Sequence, residues 1–204
     1  MNPDYTFRTV ILVWLLLWFP VALFYRVRSL ASREKLDRGQ EGLPILLTLR
    51  PLGGLCWLGI IAFLIKPASM AWSSLPLPLW LRWSGLGIGV IAATLSLCTL
   101  HNLGKNLTDT VVTRQEHQLV TTGPYHWVRH PFYDAVLLCV LTASLLMANW
   151  FVFLTGSAVF VLQVIRSARE EQQLLARFGE SYLAYTRQTG RFLPRLRPFR
   201  AAGR

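Results

Sequence analysis

Long apolar blocks alternate with shorter polar ones along the whole chain, and five of the apolar blocks read as helices that cross a membrane. The first covers residues 9–25. At about 1.5 Å per residue that is just long enough to span, and Pro20 is placed to kink it. The second covers 43–65, but Arg50-Pro51 interrupts it and sets the membrane-embedded part from near Leu52. A Pro/Ser/Trp-rich connector, 66–79, follows, in which Trp72 and then Trp80 suit an interfacial belt. The third block, 81–103, carries Gly85 and Gly89 as a GxxxG pair that allows close helix approach. Residues 104–129 form the longest polar segment between apolar blocks. Residues 135–165 contain no charge and are too long for one ordinary span. A turn is therefore expected at Ala148-Asn149-Trp150, giving two helices of about 15 residues in a tight hairpin that barely crosses. The last helix is expected to continue past Arg166 into the aqueous phase. The predicted fold class is all-α: one polytopic membrane domain over 1–204 with about five transmembrane helices. Residues 1–103 supply N-terminal helices that match nothing specific, and 104–204 carry the chemistry.

Composition supports a membrane setting. Hydrophobic residues make up 53% of the 204 and charged residues 15%, against about 25% charge in soluble domains; mean hydropathy is +0.39. The net charge of +11 would suit a nucleic-acid partner, but the charges sit between apolar blocks and in the tail, where anionic lipid meets them. Membrane lipids are the expected partner and nucleic acid is not. With five spans, 18 of the 21 lysines and arginines fall on one side, leaving Arg8, Lys66 and Arg82 on the other. That bias puts the amino terminus outside, and both the 104–129 segment and the tail in the cytoplasm. The first apolar block reads as an anchor, not a signal peptide. Cys56, Cys98 and Cys139 lie inside apolar blocks and read as small buried hydrophobes.

Candidate chemistry concentrates in 119–135, LVTTGPYHWVRHPFYDA. Pro124 fixes its own φ and biases Gly123 away from helix, so Gly123-Pro124-Tyr125 reads as a shaped turn with exposed backbone groups. Arg129 is a fixed cation suited to a carboxylate. His130 can donate or accept at neutral pH. Pro131 is placed to start the fourth helix, which sets His130 at a helix amino end that favours an anion. His126 and His130 are spaced four apart, but Pro124 and Pro131 bracket them and no third ligand is evident, so no metal is expected. A second stretch, 166–185, answers the first across the apolar hairpin. Arg166 and Glu170 share a helix face, either as a simple surface ion pair or as two groups dividing a ligand between them. Glu171 points about 100° away from Glu170, so the two are not expected to line one pocket equally. Gly179 is placed to end that helix, and Tyr182 and Tyr185 are read as interfacial packing.

Together, His117-Gln118-Leu119-Val120, Gly123-Pro124-Tyr125, Arg129-His130-Pro131-Phe132-Tyr133, Glu170-Glu171, and Phe178-Gly179 with Tyr182 and Tyr185 resemble the isoprenylcysteine carboxyl methyltransferase family and its phospholipid methyltransferase relatives. The resemblance covers the last hundred residues or so. One position departs from it: the glycine closing the RHPxYxG pattern is Ala135 here, preceded by Asp134. The resemblance implies a membrane methyltransferase that uses S-adenosylmethionine, with a cofactor pocket formed by the C-terminal half at the cytoplasmic surface. It implies that His117, Gln118, Leu119, Val120, Tyr125, His130, Pro131, Phe132, Tyr133 and Glu170 hold the cofactor. It also implies that Arg166 serves the carboxylate of a lipid-like or prenylated substrate; Arg129 joins it as a catalytic candidate. A carboxylate acceptor is already ionised, which agrees with the lack of an obvious acid–base dyad. Three other readings stand beside carboxyl O-methylation: a phospholipid or lipid-amine N-methyltransferase, a nicotinamide-dependent membrane reductase of similar fold, and a membrane protein without enzymatic activity.

Overall fold

A computed structural model of the protein describes residues 3–30, 43–103 and 119–195. Six α-helices run in chain order as α1 (Pro3–Leu30), α2 (Leu43–Ile65), α3 (Leu79–Leu103), α4 (Pro131–Met147), α5 (Trp150–Phe178) and α6 (Glu180–Gln188). No strand forms among the described residues; two isolated bridges, Ser74 with Asn149 and Val128 with Gly190, are the extended pairings there. Among the described residues four helices are long and apolar enough to cross a membrane, and α4 is a shorter apolar one. The protein is an integral membrane protein, all-α as the apolar blocks predict.

The expected break at Arg50-Pro51 does not occur, because α2 runs through Pro51 without interruption. In an apolar setting no water is at hand for freed backbone groups, so a continuous helix remains the best way to satisfy those on either side of the proline. The last apolar helix continues past Arg166 as expected: α5 is 29 residues long and reaches Phe178. The short arm of the hairpin is α4, whose 17 residues span only about 25 Å. Cys98 is exposed on α3, not buried like Cys56, because α3 turns that face away from its neighbours.

Small residues set the helix spacing. A Cβ on Gly85 would stand 3.0 Å from Leu145 and 3.2 Å from Leu146, and one on Gly89 would stand 2.9 Å from Thr142. The GxxxG pair is thus the seam between α3 and α4, within one chain. Trp14 of α1 donates its indole N–H to the Gly89 carbonyl (3.1 Å), which fixes α1 on the same seam. Phe7, Ile11, Cys56, Ile60, Phe63, Leu146 and Val152 form the apolar core where α1, α2, α4 and α5 meet.

The two ends of the bundle differ in kind. At one end Arg82 is 5% exposed, donates twice to the Leu146 carbonyl (2.8 and 3.1 Å) and pairs with Asp4 at 2.9 Å. The α4–α5 turn lies at this end, where Ala148 takes φ 49° and Asn149 caps α5 by accepting from Val152 N. Asn149 also donates to Ser73 Oγ (2.7 Å) in the connector. At the other end Tyr25 meets His101, and Thr122 donates to Asn102 (3.1 Å). The start of α4, the polar end of α5 and α6 gather there.

Candidate active site

The site forms where the segment after α3 turns back into α4. Gly123 takes φ 60°, and a Cβ there would collide with the Asn102 side-chain amide. That closeness seats the turn Gly123–His126 on the end of α3. Gly123→Ala is expected to cost about 2 kcal/mol through the left-handed backbone and the contact with Asn102, measured as a lower unfolding temperature in detergent. Residues 127–130 then pair through their backbone with 190–191. Gly190 N donates to Trp127 O (3.3 Å), Arg129 N to Gly190 O (2.8 Å) and His130 N to Arg191 O (3.1 Å). His130 caps α4 and Pro131 opens it, as expected from a proline that needs no N–H in a first turn.

His130 is the centre of the cluster. Its Nε2 is 3.1 Å from Glu171 Oε1, and its Nδ1 is 3.7 Å from Glu170 Oε2. Its ring lies parallel to that of Tyr133 at 5.4 Å, and Phe192 stands 5.5 Å away. Tyr133 donates its hydroxyl to Glu170 Oε1 at 2.6 Å, and Arg166 approaches the same oxygen at 3.4 Å. One helical turn of α5 thus presents Arg166 and Glu170 to the first turn of α4. The Arg129 guanidinium is largely buried, bound to Glu171 Oε1 (2.9 Å) and donating to the Thr189 carbonyl (2.6 Å). Both bonds tie Arg129 into the framework of the site.

After the bend at Gly179 (φ 52°), α6 returns along the cluster. Tyr182 and Tyr185, expected as interfacial packing, point inward instead: Tyr182 is 3% exposed, and Tyr185 donates to the Tyr125 carbonyl at 2.6 Å. Burial pushes the Tyr185 hydroxyl up to about 12. It raises Tyr125 as well, with the Tyr185 and Glu170 charges adding to the effect, and raises Tyr182, where Glu171 adds to it. All three hydroxyls therefore keep their protons at neutral pH. Tyr185→Phe is expected to remove about 1 kcal/mol, seen as a lower unfolding temperature with helical content by circular dichroism unchanged.

Of the sequence candidates, Arg129, His130, Pro131, Tyr133, Arg166 and Glu170 come together here, with Tyr125 held beside them by Tyr185. Phe132 sits on α4 with its ring 6.4 Å from that of Tyr133. Leu119 and Val120 are half-buried at the foot of the turn. His117 and Gln118 lie outside the described residues. Glu171, not expected to line one pocket equally with Glu170, proves to have as many partners in the cluster: Arg129, His130 and Arg191. Thr189, Gly190, Arg191 and Phe192 also escaped the sequence reading. The available signal was Arg129, a cation bound for burial that needed a carboxylate partner beyond Glu170. Among the described residues no group of three or more His, Cys, Asp or Glu gathers as a metal would require.

The model of the isoprenylcysteine carboxyl methyltransferase (ICMT) family matches residues 85–176. That interval runs from the α3 seam through His130 to Glu170 and Glu171. Relatives of the chain carry two kinds of name. Protein-S-isoprenylcysteine O-methyltransferase of Homo sapiens is 29% identical over 127 residues, 60% of this chain and 44% of that protein. The cobalt-zinc-cadmium resistance protein CzcN of Cupriavidus metallidurans is 30% identical over 122 residues, 58% of this chain and 56% of that one. The nickel-cobalt-cadmium resistance protein NccN of Alcaligenes xylosoxydans xylosoxydans is 32% identical over 132 residues, 60% of this chain and 55% of that one. The chain thus spans about half the length of the curated relatives it matches. A solved structure of the eukaryotic intramembrane Ras methyltransferase ICMT matches with a TM-score of 0.53 at 20% identity, covering 84% of this chain and 62% of that one. That likeness is one of fold, and it extends beyond the family segment into the N-terminal helices.

Proposed function

We propose that the protein is a membrane methyltransferase that takes its methyl group from S-adenosylmethionine and esterifies the carboxylate of an isoprenylcysteine-like or other lipidic acceptor. The observation that supports this reading most is the meeting of His130, Tyr133, Arg166 and Glu170 within the segment that matches the family. The donor set fits such a group. Glu170 offers a carboxylate to a cation or hydroxyl, Arg166 and the start of α4 offer positive charge to a carboxylate, and Tyr125, Tyr133 and Phe192 offer ring faces. When bound, S-adenosylmethionine supplies a sulfonium-borne methyl group open to in-line displacement by an ionised acceptor oxygen.

The chain's own residues then bind, orient and exclude water. Glu170 is oriented from one side by the Tyr133 hydroxyl and from the other by Arg166. Arg166 sits where the charge-free face of α5 ends, so a carboxylate on an apolar tail would meet it at the edge of the apolar region. Because that carboxylate carries no proton to remove, positioning supplies the rate enhancement. The abundance of lysine and arginine at this end of the bundle supports a site facing the cytoplasm. The test is calorimetric titration of the detergent-purified protein with S-adenosylmethionine and, separately, a reduced nicotinamide dinucleotide. Saturable binding of the first alone is expected. Binding of the second alone would replace this reading with a reductase.

A further inference from the structure

Glu171 Oε1 is a meeting point for three groups from two separate segments. Arg129 Nε lies 2.9 Å away, His130 Nε2 3.1 Å and Arg191 Nε 3.5 Å. The first two belong to the entry into α4. The third belongs to the strap that follows α6, which also binds that entry by backbone hydrogen bonds from Arg129 N and His130 N. Phe192, next along the strap, lies against the His130 ring and against Phe160 of α5 at 6.1 Å. A Cβ on Gly190 would strike the Leu193 carbonyl, so the strap turns tightly just where it pairs.

We infer that Glu171 is a positioning residue: it clamps the strap 189–192 across the start of α4 and fixes which nitrogen of His130 faces the donor pocket. An ionised carboxylate only accepts hydrogen bonds, so the Nε2 proton of His130 is directed to Glu171. Nδ1 is then the ring atom turned toward Glu170, 3.7 Å away, too far for a hydrogen bond between them. In the neutral ring, Nδ1 and the Glu170 carboxylate form a pair of acceptors suited to one ammonium or hydroxyl group of a ligand. Without Glu171 the ring has no fixed tautomer and the strap loses its ionic anchor. The effect on the donor rests on the methyltransferase reading, whereas the clamp itself does not.

Arg191→Ala removes the strap's ionic anchor, from a side chain 36% exposed, together with a guanidinium 5.6 Å over the Phe192 ring, and is suited to folding normally. Glu171→Gln keeps the shape and removes the charge. Hydrogen exchange in the peptide covering 127–133 is expected to rise by about tenfold in both, with the α2–α5 core unchanged and Arg191→Lys restoring protection. The KM for S-adenosylmethionine is expected to rise about tenfold while kcat changes by less than about threefold. Wild-type exchange in both variants would overturn the clamp. Faster exchange with an unchanged donor KM would overturn its role in donor binding. A wild-type protein that binds no S-adenosylmethionine would instead defeat the proposed function, and the exchange result would still decide the clamp.

Discussion

Replacing Glu170 with alanine is expected to weaken S-adenosylmethionine binding and methyl transfer by about a hundredfold or more. Glu170 gathers the Tyr133 hydroxyl at 2.6 Å, Arg166 at 3.4 Å and the His130 ring at 3.7 Å. Its removal takes away the acceptor meant for a cationic or hydroxylated ligand group and leaves the Tyr133 hydroxyl without its acceptor. Hydrogen bonds to a charged group contribute about 1.5–3 kcal/mol each, and about 1.4 kcal/mol is a factor of ten. Glu170→Gln keeps the shape but loses the charge and is expected to fall between wild type and Glu170→Ala. Calorimetric titration of the two variants checks both, and wild-type affinity in Glu170→Ala would remove Glu170 from the site.

Arg82→Ala is expected to destabilise the fold by about 3 kcal/mol while leaving donor affinity unchanged. Arg82 closes the C-terminal end of α4: its guanidinium donates twice to the Leu146 carbonyl, one of the carbonyls a helix end leaves without an intrahelical partner. It also pairs with Asp4 and lies 3.9 Å over the Phe7 ring. One side chain thus joins α1, α3 and α4 at the end of the bundle opposite the site. For a chain of this size such a loss corresponds to about 6–12 °C in the unfolding temperature. Arg82→Lys is expected to recover part of it, because an ammonium lacks the forked geometry. Thermal unfolding in detergent, with a donor titration on the same samples, separates the two effects.

Much of the architecture was legible because lipid simplifies the code. A membrane helix announces itself by length and apolarity, so α3, the start of α4 at Pro131 and the turn at Asn149 could be read directly. Gly85 and Gly89 were legible as a contact but not as a contact with α4. Arg50-Pro51 misled because proline rules drawn from water overstate the break that an apolar setting allows. The motif residues His130, Tyr133 and Glu170 were legible through the resemblance. Glu171 was not, since its angle to Glu170 was judged on one helix alone. The structure places Arg129 and His130 on one side of α5 and lets both carboxylates reach the same imidazole from different edges. The strap 189–192 left no periodic signal because it pairs through backbone groups. Arg82 looked like one of three stray charges on the sparsely basic side until packing supplied its three partners.

The proposed reaction moves a methyl group from S-adenosylmethionine to a lipid-borne carboxylate. The most direct measurement incubates the purified protein with methyl-labelled S-adenosylmethionine and a farnesylated cysteine analogue in mixed micelles, then treats the product with base. Label is expected in the analogue, released as methanol by base as a methyl ester requires, and lost in Glu170→Ala. Donor binding with label recovered only in base-stable lipid products would contradict carboxyl transfer and assign the site to an amine.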